Sequence, residues 1–268
     1  MSNIFNLNRF GLLLKRQWLD FGKVYLLTLV ILVAVIFSFY CYFIPSPIGD
    51  NFDYDGNLDM RFRYGLFIFL GFLFISITSS SYFSILGQKP RAIQELMLPA
   101  STFEKFAGAL FYTAFLAVIS YLLIFYIIDL GFVKYVNSHL SEFKMESAKH
   151  SHLNGVESIS KQVTSDKNYL TYLSSYFPIP FLVISIFLLG SVYFNRFHYI
   201  KTAISVAIFS AITFYMIYKA SILFIGDKVM RNVMVQKDEI LLWIFLVSAA
   251  ITLSLWLITY IRLKEKEV

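Results

Sequence analysis

Charge is scarce in this sequence. Only 15% of its 268 residues are Asp, Glu, Lys or Arg, while 58% are hydrophobic; a soluble domain carries about 25% charged residues. A compact soluble fold would lack the polar surface to cover itself, so lipid is the expected solvent for most of the chain. Cysteine is scarcer still. Cys41 stands alone, which excludes a disulfide within one chain and a cysteine-based metal site. Catalytic and nucleotide motifs are also lacking: there is no HExxH, no GxSxG, and no GxxxxGK[ST] loop to cradle ATP phosphates. The long apolar runs hold almost no charge. Asp129 and Lys219 fall near run ends, where a lysine can snorkel to the interface. That scarcity speaks against a proton-coupled pump, a voltage sensor or an ion-selective pore. The basic residues sit at run ends, so no nucleic-acid partner is expected.

What the sequence has in abundance is apolar length. A hydrocarbon core of about 30 Å takes about 20 apolar residues per helical crossing. Six stretches qualify, at 24–44, 64–85, 106–132, 177–194, 201–224 and 240–261, the fourth being the shortest. The expected fold class is an all-α integral membrane protein, with a six-helix transmembrane domain over 24–268. The first run outlasts a signal-peptide core and has no small-x-small site after it, so it reads as a retained helix. Pro45 and Pro47 end it. Before it, residues 1–23 place Leu7, Phe10, Leu14, Trp18 and Phe21 at helical spacing, with Arg9, Arg16, Asp20 and Lys23 on another face. This pattern predicts an amphipathic helix in the membrane interface, with Phe10, Leu14 and Trp18 toward lipid.

Charge distribution predicts orientation. Residues 1–23, 86–105, 195–201 and 262–268 hold 12 Lys/Arg and 5 Asp/Glu, a balance of +7, whereas the rest of the chain holds 11 and 12. By the positive-inside rule both termini and the 86–105 loop are cytoplasmic, and loop 133–176 is external. The membrane expected is the cell (inner or plasma) membrane. Four aspartates (Asp50, Asp53, Asp55 and Asp59) crowd the first external loop. With Gly56 they match a calcium loop only in part, so a solvated acidic loop is the expectation. His139, His150 and His152 lie in loop 133–176 without metal-ligand spacing, and no metal site is expected. Ser76, Thr78, Ser79, Ser80, Ser81 and Ser84 gather at the cytoplasmic end of the second run. Such residues bond carbonyls of their own helix or permit close helix packing. Aromatic residues are 19% of the chain, which fits lipid-facing bulk and interfacial belts.

The most distinctive segment is the loop from Gly87 to Gly108. Pro90 suits the first turn of a short helix, Ile93, Leu96 and Met97 share a face, and Pro99 stops it. Ser101 and Glu104 then have the S-x-x-E spacing of a capping box, which would launch the third span. The phrase Leu96-Met97-Leu98-Pro99-Ala100-Ser101, followed by Glu104-Lys105-Phe106, resembles a signature in ABC-2-type permeases, the membrane subunits of bacterial ABC exporters. That resemblance implies a coupling helix whose Arg91, Ile93, Glu95, Leu96 and Met97 meet a separate ABC ATPase subunit. ATP and Mg would then be held on that partner, with no cofactor in this chain. It further implies a second permease copy in a homodimer, since six spans make half of such a transporter. The long segment before the fourth span departs from the usual layout of that family. The alternative reading of the sequence is a non-transporting membrane scaffold or sensor subunit.

Overall fold

A computed structural model describes residues 5–45, 58, 60–87, 97, 98, 100–142, 155–165, 167–225 and 237–267. The order is α1 (Leu7–Tyr42), α2 (Phe62–Tyr82), a 3-10 turn (Phe83–Gly87), α3 (Thr102–Leu110), a π-helical stretch (Phe111–Leu116) and α4 (Ala117–Ser138). There follow α5 (Ile159–Ser165), α6 (Lys167–Tyr176), α7 (Pro178–Tyr193), α8 (His198–Ile225) and α9 (Lys237–Glu267). No β-strand occurs among the described residues. Six helical segments are long and apolar enough to cross a membrane: Leu7–Tyr42, Phe62–Tyr82, Thr102–Ser138, Tyr169–Tyr193, His198–Lys219 and Glu239–Lys266. Each contains or overlaps one of the six stretches read from the sequence.

Two boundaries differ from expectation. Residues 7–23 do not form a helix of their own but continue without interruption into the first span. The 36 residues of α1 make a rod of about 54 Å at 1.5 Å per residue. Nothing between them can break it: no proline intervenes, and at Gly22 the Trp18 ring covers the backbone, 3.1 Å from where a Cβ would stand. The fourth span starts earlier than 177. Only Phe177 separates α6 from α7, and its backbone is helical (φ −52, ψ −38). Pro178 marks the division, because its nitrogen cannot donate back to the last turn of α6 and the hydrogen-bond ladder is interrupted there.

The chain divides into two compact units. Unit one comprises Met1–Leu14, Ser76–Ala114 and Tyr172–Val268; unit two comprises Lys15–Ile75 and Phe115–Thr171. In unit one, α7 packs against α9, α8 and the 3-10 turn, and α9 also meets α3. Ile184, Leu188 and Val192 recur every four residues on α7 and are fully buried. On α9 the buried residues are Leu241, Ser248, Thr252, Thr259 and Leu263, a stripe at seven- and four-residue steps. Among these large residues stand the small buried Ser185, Gly190 and Ser191 on α7 and Ser248, Thr252 and Thr259 on α9, and small residues let helix backbones approach where lipid is as apolar as the side chains. Gly190 shows how closely: a Cβ there would stand 1.9 Å from Thr202 Oγ1 on α8.

Unit two has an aromatic core. Tyr40 meets Phe62, Phe125 and Phe132, Phe67 meets Tyr121 and Phe125, and Phe74 meets Tyr25 and Tyr121. These rings pack tilted, edge-on or stacked, arrangements that add to plain area burial. The Tyr121 ring lies against the α2 backbone at Gly71, where a Cβ would be 2.9 Å from it, and its hydroxyl donates to the Phe67 carbonyl. Aromatic abundance thus serves internal packing as well as the lipid face.

Several exposed serine and threonine hydroxyls in the spans turn back on their own helices. Ser205 donates to Lys201 O, Thr213 to Phe209 O, and Ser254 to Ala250 O, all at 2.8 Å. That keeps them satisfied in a medium that offers no water.

Candidate functional site

The start of the third long helix is built around Glu104. Ser101 adopts an extended backbone (φ −70, ψ 152) and caps α3. Its Oγ accepts from the Glu104 amide at 3.2 Å, and the Ser101 amide donates to Glu104 Oε2 at 2.9 Å. This is the reciprocal capping box that the spacing predicts. Glu104 does more than cap. Its carboxylate also accepts from Arg9 Nε at 2.8 Å, from Arg9 Nη2 at 2.7 Å and from the Asn6 amide at 3.0 Å. The side chain is fully buried. A planar guanidinium fork on a carboxylate fixes direction as well as distance, so the first turn of α1 is locked to the first turn of α3. Tyr112, at the π-helical stretch, adds a second tie by donating to Leu14 O at 2.7 Å. Single-turn π distortions often mark functional positions within helices.

Arg9 is therefore not simply part of a basic face turned to headgroups. Arg9→Gln should loosen this junction, whereas Arg16→Gln, on an exposed position, should not. Ser101→Ala should cost about 0.5–2 kcal/mol by loss of the cap. Glu104→Ala should cost more, because it removes the acceptor of two backbone amides and the ion pair with Arg9 together. Thermal unfolding of the purified protein, followed by helical circular dichroism, would rank these variants; equal melting temperatures for Ser101→Ala and Glu104→Ala would contradict the shared role of the carboxylate.

The other expected site residues are distributed as follows. Of the predicted coupling residues, Arg91, Ile93, Glu95 and Leu96 lie outside the described residues. Met97 is in a turn and 76% exposed. On α1, Leu7 and Trp18 are exposed and Phe10 and Leu14 half-buried, whereas Phe21 is buried. The buried line on that stretch runs through Leu13, Gln17, Phe21 and Tyr25; it shares Phe21 with the expected apolar stripe and replaces Leu14 and Trp18 by their preceding neighbours. The serine-rich end of α2 is buried and partly engaged with α8: Ser80 Oγ lies 2.7 Å from His198 Nδ1, and Ser76 Oγ lies 3.4 Å from the Tyr199 hydroxyl. Ser81 and Ser84 bond carbonyls of their own turn. The aspartate loop, His150 and His152 lie outside the described residues. His139 stacks on Tyr135, with ring centroids 4.6 Å apart.

A second charged centre went unread in the sequence. Arg63 and Asp129 are each 2% exposed, and Arg63 Nη1 donates to Asp129 Oδ1 at 2.9 Å. The same oxygen accepts from the Tyr40 hydroxyl at 2.9 Å, and Oδ2 accepts from the Ile159 amide at 3.0 Å. Arg63 Nη2 donates to the Glu157 carbonyl at 3.1 Å. Residues 155–165 are fastened over this pair. The Asn137 side chain exchanges two hydrogen bonds with the Val156 backbone, at 2.9 and 2.8 Å, and the Tyr64 hydroxyl bonds Gln162. Asp129 thus accepts three hydrogen bonds, from Arg63, Tyr40 and the Ile159 amide, and the centre ties those segments together as a structural clamp. The available signal was an acidic residue near the end of the 106–132 run and a basic one just before the 64–85 run.

Comparison with protein families, with curated proteins and with solved structures finds no match to this chain.

Proposed function

We propose that this chain is the membrane-spanning permease subunit of an ATP-driven exporter, coupled through its 86–105 loop to a separate ATPase subunit. The observation that carries the reading is the Glu104 junction. Ser101 and Glu104 belong to the phrase that resembles the signature of ABC-2-type permeases, at the end of the proposed coupling segment. It joins the starts of two long helices, so a push on the loop would be delivered to both. Six membrane-length helices supply half of a two-chain pathway, and the absence of a phosphate loop assigns ATP and Mg to the partner. The +7 balance of residues 1–23, 86–105, 195–201 and 262–268 puts both termini and the coupling loop on the cytoplasmic side. Loop 133–176, including the clamped segment, then faces outward. A homodimer with two ATPase subunits is the corresponding assembly.

Co-expression with genomic neighbours and affinity purification from membranes tests the reading. The chain alone should hydrolyse no ATP, and the copurified complex should. Leu96→Asp should abolish copurification, because an unpaired charge would enter an apolar groove. Its membrane insertion should persist, since residue 96 lies outside every span. Recovery of the chain without any nucleotide-binding subunit, together with indifference to Leu96→Asp, would rule the exporter out.

A further inference from the structure

The connection between α7 and α8 carries an unusual choice of residue. Phe197 adopts φ 54, a left-handed conformation that a bulky side chain takes at a cost and glycine takes freely. Its ring is 74% exposed. A residue kept there against its backbone preference suggests a use for the ring. Cations stand along the same connection. Arg196 and Lys201 are exposed on either side. Lys201 Nζ lies 5.7 Å from the centre of the Phe194 ring, and the Arg262 guanidinium 5.8 Å from that of Tyr193. Lys266 Nζ reaches Asn195 Oδ1 at 3.5 Å, which brings the last turn of α9 alongside the connection. Residues 193–201 and 262–267 together hold five Lys/Arg and two Glu, and one of the glutamates, Glu265, pairs with Arg262 at 2.7 Å.

From this we infer that the end of unit one formed by Tyr193–Lys201 and Arg262–Lys266 binds the phosphate headgroups of anionic phospholipids. The cluster sits at the ends of α7, α8 and α9, which belong to three of the six membrane-length helices. Its rings and cations therefore stand where hydrocarbon gives way to water. Exposed aromatic rings fit that boundary; lysine and arginine held beside them reach headgroup phosphates, and anionic lipid attracts each such cation. A water-soluble anion would have no use for Phe197, whereas acyl chains would. This inference needs only the membrane-spanning helices and stands independently of the exporter reading.

The test uses the full chain purified in a neutral detergent and titrated with fluorescent phosphatidylglycerol or phosphatidylcholine. Phosphatidylglycerol should bind preferentially. The variant Arg196→Gln/Lys201→Gln/Lys266→Gln should weaken it by about ten-fold or more, three surface cations being lost, while Lys134→Gln should leave it unchanged. Phe197→Gly separates the ring from the backbone: it should raise the melting temperature yet reduce lipid retention, whereas a merely structural Phe197 would leave lipid retention unmoved. Equal binding of the two lipids, or an unaffected triple variant, would overturn the inference. So would complete displacement by millimolar inorganic phosphate, which would mark an anion site indifferent to lipid.

Discussion

Asp129→Ala should destabilise the protein by about 3–5 kcal/mol, the range seen when one partner of a buried ion pair is removed. The cost arises from what is left behind. Arg63 is 2% exposed and would keep its buried charge without the Asp129 carboxylate opposite it, while the Tyr40 hydroxyl and the Ile159 amide would lose their acceptor. A buried polar group stranded in this way costs about 1–3 kcal/mol. Asp129→Asn should be milder, because its one carbonyl oxygen can still serve one of these donors. Arg63→Leu combined with Asp129→Leu should also be milder than Asp129→Ala, since no charge remains, but it should not reach the native value while the Ile159 amide and Glu157 carbonyl lack partners. Amide hydrogen exchange gives a local reading. Protection of Ile159 should fall in Asp129→Ala by more than that of the core of α7. Unchanged exchange at Ile159 would mean that the clamp does not hold residues 155–165.

A second effect, steric in origin, is expected at Gly190. In Gly190→Ala the new Cβ would stand 1.9 Å from Thr202 Oγ1, 2.7 Å from its Cγ2 and 2.8 Å from its Cβ. Turning the threonine moves the first two atoms but not the third, so the backbones of α7 and α8 must separate. Overpacking of this kind costs about 1–3 kcal/mol, against which the better helix propensity of alanine returns about 1 kcal/mol. The threonine is held as well by its bond to His198 O at 2.7 Å. Thr202→Gly should therefore rescue Gly190→Ala, even though it is itself destabilising as a glycine within a helix. A double-mutant cycle on melting temperature checks this: additive losses would show that the contact does not limit the approach of the two helices.

Sequence was sufficient wherever a property depended on neighbouring residues. Apolar run length announced the six helices because a bilayer demands a minimum length of each. The Ser101–Glu104 cap was visible because its partners are three positions apart and share one turn. Glu104 as a junction was not visible, since Arg9 stands 95 residues away. Nor was the clamp, where 66 residues separate Arg63 from Asp129. The run containing Asp129 shows one acidic residue near its end, and nothing in that run states which cation it will meet. The continuity of α1 beyond the first span was not legible for a related reason: a change from mixed to apolar composition at residue 24 marks a change of surroundings and leaves open whether backbone hydrogen bonding breaks there. Composition likewise gave the number of aromatic rings but not their placement, because a ring against lipid and a ring against Gly71 satisfy the same apolar pattern. The sequence by itself determined the solvent, the helices and their local caps, all set by short-range chemistry. Only the tertiary structure decided which charges are paired and which helix faces meet, because those depend on residues that folding alone brings within a few ångströms.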